Sequence, residues 1–406
     1  MNTHTPDTIV VGAGVAGLTA AWNLHKAGQS VTVVDPTPGM GASRAAAGMI
    51  AAVSEVMYQH HTMRTLMTTS AALYPPLVAE LTELLGHDVG YRGTETLDIG
   101  AHPADRDWFA NLAEVQRAAG MTVEQITTRQ ARKLEPALSP AISGAFLVAG
   151  DHQINPRKLV PALIEALDRD PGFRLIRQRV TAVLRDGGDT GAVTGVTLDD
   201  GTDLHAATTL LCPGVSLAGI GNLPEADCVR LRPVHGDILR ARLRPSQPPL
   251  LERTVRGMVD GRPVYLVPRT DGEIVIGATE REDGFDGVVL EGAYRLLRDA
   301  QTLVPGAADL ELTEILARAR PGTPDDLPYI GRLDGVDGLV VSTGYSRHGI
   351  LLAPLGGHLA AGLVLGTDAT DATDATDATD ITAADAAILA ATDPRRTSPH
   401  TSGATV

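Results

Sequence analysis

Cysteine occurs only twice in 406 residues, at Cys212 and Cys228, with no CxxC and no zinc-type spacing. That excludes a disulfide scaffold and fits a reducing cytoplasm. Aromatic residues make up only 3% against 43 glycines, so close-packed α/β layers are expected rather than a core filled by large rings. Basic residues are outnumbered, and the net charge of −15 argues against nucleic acid as a partner. The leading "MNTHTPD" has no Lys or Arg, which argues against a signal peptide for the apolar stretch behind it. An unbroken membrane span is also missing. "GILLAPLGGHLAAGLVLG" comes near the length but carries Pro354, His358 and several glycines, so it reads as a buried helix. A soluble protein of two or three domains is expected.

What is present begins with a βαβ unit: Thr8 to Gly12 as a buried strand, Val15 to Ala27 as a helix, Val31 to Asp35 as a second strand. An Ala/Gly-rich loop, "GMGASRAAAGMIA", follows, and mixed three and four spacing of apolar residues predicts a long helix from about Met57 to Leu85. "PRKLVPALIEAL" predicts another amphipathic helix. Short strands alternating with Gly and Asp turns between Arg177 and Gly214 predict a β-meander. "VYLVPRTDGEIVIGAT" predicts a hairpin turning at Asp271-Gly272. "GLVVSTG" is a last buried strand, and Gly349 to Leu365 a last helix. After Gly366 the repeat "TDATDATDATDATD" and the end "DPRRTSPHTSGATV" offer little to bury, so a mostly disordered tail is expected.

Gly12, Gly14 and Gly17 form G-x-G-x-x-G between the first strand and helix. Gly12 lets the chain turn, Gly14 lets backbone approach a pyrophosphate, and Gly17 lets helix and strand pack closely. The helix N-terminus favours phosphate, and Asp35, 18 residues after Gly17, is placed to accept hydrogen bonds from a ribose. A dinucleotide site follows. "TLLCPGVSL" puts a second buried strand before Cys212-Pro213-Gly214, an arrangement resembling the second glycine motif of flavoproteins with two dinucleotide sites. FAD accounts for both motifs, whereas a nicotinamide dehydrogenase needs only the first.

Four stretches resemble the D-amino-acid-oxidase-like flavoproteins, and their glycine oxidases in particular. They are "VVGAGVAGLTAAW" with "GASRAAAGM"; "RPVHGDILR"; "VYLVPRTDGEIVIGATEREDGFD"; and "RPGTPDDLPYIG" with "STGYSRHGILLAP". They lie in family order and span the chain from Val10 to Pro354. The resemblance implies an α/β fold: a discontinuous, Rossmann-like FAD-binding domain (1–78, 146–232 and 320–366) and a second α+β substrate domain on a mostly antiparallel sheet (79–145 and 233–319), with 367–406 as tail. It implies non-covalent FAD, oxidation of a small amino acid's Cα–N bond by hydride transfer from Cα to flavin N5, imine release, and reoxidation by O2 to peroxide.

Position by position, it implies FAD contacts from Gly12, Gly14, Val15, Gly17, Asp35, Pro36, Ser43, Arg44, Ala47, Gly48, Met49, Val180, Cys212 and Gly214. The isoalloxazine segment matches Tyr345, Ser346, Arg347, His348, Gly349, Ile350 and Leu351. Arg320 matches the substrate-carboxylate arginine, Tyr265 a tyrosine near that carboxylate, and Arg347 an arginine close to flavin and substrate. Arg44 is equally readable as a solvent-facing loop arginine, and His348 as a loop histidine bonded to backbone. The expected partners are a small amino acid and O2, with a homo-oligomer, for instance a tetramer, of the chain itself, and neither membrane nor nucleic acid. His60-His61 lack acidic or cysteine partners, so no metal is expected.

The chemistry suits these residue types. A planar guanidinium grips a carboxylate through two parallel hydrogen bonds and fixes its orientation. Positive charge near the amine lowers its pKa, so no strong base is required. Two departures from the family pattern, Glu280 after "GAT" and Arg318 two residues before Arg320, suggest that Glu280 pairs with Arg318. The rival reading is that Arg318 and Arg320 together select a dicarboxylate. The leading function is a glycine/D-amino-acid oxidase supplying an imine for the thiamine thiazole. A sarcosine oxidase, a quinone-coupled D-amino-acid dehydrogenase and a non-catalytic flavin-binding subunit are the alternatives. "ILARARPGTPDDLPYIG" contains no cysteine to tether flavin, which argues against covalent attachment.

Overall fold

The unbroken apolar runs TIVV and VTVV form strands Thr8–Val11 and Val31–Val34, buried along their whole length. They pair in parallel, connected through helix Val15–Lys26. The computed structural model describes residues 5–187, 191–223, 228–333, 336–367 and 382–396. In it these two strands sit near the middle of a six-stranded sheet. The order is Tyr329–Arg332, Leu339–Thr343, Thr208–Leu211, Thr8–Val11, Val31–Val34, Phe173–Ile176, parallel except for the first. Segments more than 300 residues apart in the chain thus share one sheet. In such a layer the ligand crevice lies outside the carboxyl ends of the strands.

A second sheet of eight strands runs in the order Glu311–Gly322, Arg232–Arg242, Glu273–Gly277, Arg262–Pro268, Thr254–Val259, Thr96–Gly100, Gly144–Val148, Val123–Ile126. It is antiparallel except where Thr254–Val259 meets Thr96–Gly100. Helix Leu290–Leu303 packs its apolar face on this sheet through Ala293, Leu296, Ala300 and Leu303. The meander appears as the antiparallel set Val180–Arg185, Val193–Leu198, Asp203–His205, and the Asp271-Gly272 hairpin is also in place.

Two expectations differ from the structure. The predicted helix from Met57 to Leu85 is two helices, His61–Ala72 and Tyr74–Leu85. Pro75 and Pro76 cannot continue the first helix but fit the opening turn of the second, where free amides are normal. In the tail, Ala383–Thr392 is a helix with Ile388 buried in the core around the six-stranded sheet. Arg396 lies 4.2 Å from the Tyr329 ring centroid and bonds both Asp325 oxygens at 2.7 and 2.8 Å, anchoring this segment. The repeat beyond Thr367 lies within 368–381, outside the described residues.

The helical stretch Ser346–Leu365 is apolar and long enough to cross a bilayer, but its helix Gly349–Leu365 is buried against helices Val15–Lys26 and His61–Ala72. Pro354 has no amide, so the Ile350 carbonyl loses its helical partner. The Tyr74 hydroxyl donates to that carbonyl, and Ser70 Oγ bridges the next turn, donating to Leu351 O at 2.7 Å and accepting from Leu355 N at 3.2 Å. Burial pushes the Tyr74 hydroxyl well up, so it stays a donor. Tyr74→Phe is therefore expected to lower stability by about 1–3 kcal/mol by stranding a buried carbonyl. An unchanged urea midpoint would contradict this.

Candidate active site

A cavity of about 1000 Å³ runs between the two sheets. At one end it is lined by Val11, Gly12, Gly14, Val15, Asp35 and Pro36, and at the other by Tyr265, Arg318, Arg320 and Arg347. Gly12 has φ +104°, and a Cβ there would stand 2.3 Å from the Cys212 carbonyl oxygen. Gly17 is behind the cavity, where a Cβ would meet Gly12 O at 2.0 Å, so it serves close packing. Ser43 Oγ accepts from Val15 N at 3.1 Å, tying the loop to the helix start. Asp35 accepts from Ala13 N at 2.8 Å and Thr37 N at 2.7 Å through separate oxygens. Each oxygen keeps acceptor capacity for a ribose hydroxyl.

Val180, Cys212 and Gly214 line the wall, as do Ala47, Gly48 and Met49. Tyr345 to Leu351 all line it as well, with Ser346 held at φ +48°. His348 is buried and its Nδ1 has no hydrogen-bond partner among the described residues, an atom a bound group can satisfy. Like Gly17, Arg44 is an expected contact that the cavity wall does not include. Its guanidinium turns to Glu314 at 3.7 Å, drawn by the opposite charge on strand Glu311–Gly322, and does not line the cavity.

Arg320 lies across Gly236, where a Cβ would be 2.4 Å from Nη1. Its only side-chain hydrogen bond among the described residues is a weak one, Nη1 to Thr279 O at 3.4 Å, and none of them gives it a carboxylate. The expected Glu280–Arg318 pair does not form. Arg318 is held by carbonyls, Nε to Met40 O at 3.1 Å and Nη1 to Ala317 O at 2.7 Å, while Glu280 acts on Arg347 instead. Tyr265 stands opposite Gly277, and a Cβ on Gly277 would meet its hydroxyl at 2.4 Å. Burial pushes the Tyr265 phenol up, with Arg320 the largest opposing influence, so it remains protonated at neutral pH.

Sequence reasoning missed Glu55. Its Oε2 takes Arg347 Nη2 at 2.7 Å and Nε at 2.9 Å and lies 3.2 Å from His348 Nε2, while Oε1 faces Arg256 Nη2 at 3.4 Å. Burial alone would raise this carboxyl; Arg347, His348 and Arg256 outweigh it and hold Glu55 well below the usual carboxylate range. Three further arginines fix the 44–47 backbone from outside the cavity. Arg157 and Arg240 donate to Arg44 O at 3.1 and 3.4 Å, Arg240 also to Ala46 O at 3.3 Å, and Arg269 to Ala47 O. No signal short of the fold points to Glu55, which lies in an unpatterned loop; Arg269 belongs to the quoted "VPR".

Residues 7–363 match the family model described as FAD dependent oxidoreductase (DAO). The chain belongs to the DAO family of FAD-dependent oxidoreductases. Among its DAO-family relatives, a glycine oxidase of Geobacillus kaustophilus is 32% identical over 365 residues, covering 89% of this chain and 93% of that protein. The hydrogen cyanide synthase subunit HcnC of Pseudomonas aeruginosa is 28% identical over 396 residues, with the same coverage. A bifunctional ThiO/ThiG protein of Trichormus variabilis is 29% identical, covering 89% of this chain but 53% of that longer protein. The solved glycine oxidase of Geobacillus kaustophilus superposes with TM-score 0.80 at 32% identity, over 91% of this chain and 96% of that one. FAD is the cofactor of the DAO family, and the glycine cradle, Asp35 and the unpartnered His348 nitrogen fit it.

Proposed function

We propose that this chain oxidises glycine and other small amino acids, the (D-)enantiomers where Cα is chiral, to the imine and 2-oxo acid, with release of ammonia and hydrogen peroxide. The observation that carries this is Arg320, a cation facing the cavity with no carboxylate partner among the described residues. Arg320 binds the substrate carboxylate, and the protonated Tyr265 hydroxyl donates beside it. Arg347, oriented by Glu55, adds positive charge that favours a neutral amine. Bound non-covalently, FAD would supply the acceptor for the hydride leaving Cα and the route for two electrons to O2. Gly12, Gly14, Asp35, Ser43, Val180, Gly214 and Tyr345 to Leu351 would hold it. Similarity to a ThiO/ThiG protein supports a place before thiazole formation in thiamine synthesis.

One observation favours a second reading. Arg318 lines the cavity with no carboxylate partner among the described residues, so a dicarboxylate would find two cations. Peroxide release from glycine, sarcosine, D-alanine and D-aspartate decides between them. Glycine and the small neutral substrates are expected to have the higher kcat/KM. A strong preference for D-aspartate would transfer the case to the dicarboxylate, and no peroxide from any of the four would contradict an oxidase.

A further inference from the structure

Across the eight-stranded sheet, direct pairing places Phe146, Asp98, Arg256, Tyr265 and Gly277 in one row. Residues so aligned share a face and touch. Arg256 Nη1 faces Asp98 Oδ1 at 3.4 Å and its Nη2 faces Glu55 Oε1 at 3.4 Å. Glu55, Arg256 and Arg347 line the cavity, while Asp98, 2% exposed, sits one layer behind. One guanidinium is thus shared between two carboxylates, and the nearer carboxylate holds Arg347.

We propose that Asp98 is a positioning residue of the amino-acid site, acting through Arg256 and Glu55 to set how much positive charge Arg347 presents to a bound carboxylate. With Asp98 neutral, Arg256 has Glu55 as its anionic partner, and the set Asp98, Arg256, Glu55, Arg347 carries one net positive charge. With Asp98 ionised, Arg256 is drawn to it, Glu55 is left more fully to Arg347, and the set is neutral. Burial pushes the Asp98 carboxyl up to about 7, against the pull of Arg256 and with Asp151 adding to the rise. The change therefore falls near neutral pH: carboxylate binding is tight below about 7 and weakens as pH rises through it.

The groups around Asp98 are few. Arg256 flanks it on one side and Phe146 on the other. Glu55 and Ser54 reach it from the loop, and Asp151 from the turn before His152–Ile154. Asp151 is engaged by Val53 N at 2.8 Å and Ser54 N at 3.1 Å. Helix Pro103–Ala118 packs on the Asp98 strand, but its buried Asp105 is taken up by the amides of Asp260 and Gly261, and its Gln116 by Val53 O. His348 contacts Glu55 directly, and burial pushes the neighbouring Asp151 carboxyl up as well.

The proposal rests on the amino-acid-oxidase reading, so turnover of the four amino acids is checked first. If none is turned over, that reading fails; if one is, acetate tests Asp98. Acetate, a carboxylate with no amine and no change of charge above about pH 6, is titrated into the FAD-loaded protein and followed by the flavin spectrum. In the wild type its Kd is expected to rise about threefold to tenfold between about pH 6 and about pH 8.5. Asp98→Asn is expected to keep the low-pH Kd across the range. The same step in Asp98→Asn would assign it to a group other than Asp98, and a uniform weakening at every pH would mark a purely structural role; either overturns the proposal. Asp98→Ser, also uncharged, replaces it should the Asn variant not retain FAD. A flat wild-type profile overturns the proposal with no variant needed.

Discussion

Arg320→Ala is expected to keep FAD and to raise KM for glycine by about two to three orders of magnitude, as loss of a charged hydrogen-bond partner requires. The guanidinium emerges near the end of strand Glu311–Gly322, before Pro321-Gly322, and rests on the bare face of Gly236. No described acidic residue neutralises it, so an incoming carboxylate does not displace a competitor. The residues proposed to hold FAD lie in other segments, so the flavin spectrum should be unchanged while saturation moves out of reach. Steady-state kinetics with FAD content measured on the same preparation check this. Unchanged KM would remove Arg320 from the substrate site, and loss of FAD would give it a different role.

Gly12→Ala is expected to act at the opposite end. Its φ of +104° is unfavourable for any residue with a Cβ, and the added carbon would meet backbone, the Cys212 carbonyl at 2.3 Å, which cannot swing aside. Strain plus overpacking amounts to about 2–5 kcal/mol. The expected product is a folded protein with little or no FAD per chain, measured by releasing the flavin on denaturation. A fully loaded Gly12→Ala would mean the first strand–helix turn is not where the dinucleotide sits.

The two ends of the cavity were unequally legible in the sequence. Gly12, Gly17 and Asp35 were readable because a tight turn, a helix–strand contact and a strand-end acid are local constraints that leave fixed spacing. Helices Pro156–Leu167 and Gly349–Leu365 were readable from apolar patterning and length for the same reason. Glu55 and Arg256 were not. The first lies in a loop without periodicity and the second in a strand where an arginine looks ordinary; their meeting depends on the sheet placing Thr254–Val259 beside that loop. The guess that Glu280 answers Arg318 failed because like or unlike charge says nothing about reach: Arg318 finds the Met40 carbonyl, and Glu280 finds the field of Arg347. The break at Leu73 and the docking of Ala383–Thr392 were missed because both depend on what the segment packs against.

The central claim is that this cavity oxidises an amino acid anchored by Arg320. It is tested most directly by mixing the purified yellow protein with glycine in the absence of oxygen. Bleaching of the flavin's visible band, followed by its return with stoichiometric peroxide when air is admitted, is the result predicted. A visible band unchanged by glycine, sarcosine, D-alanine and D-aspartate alike would contradict it.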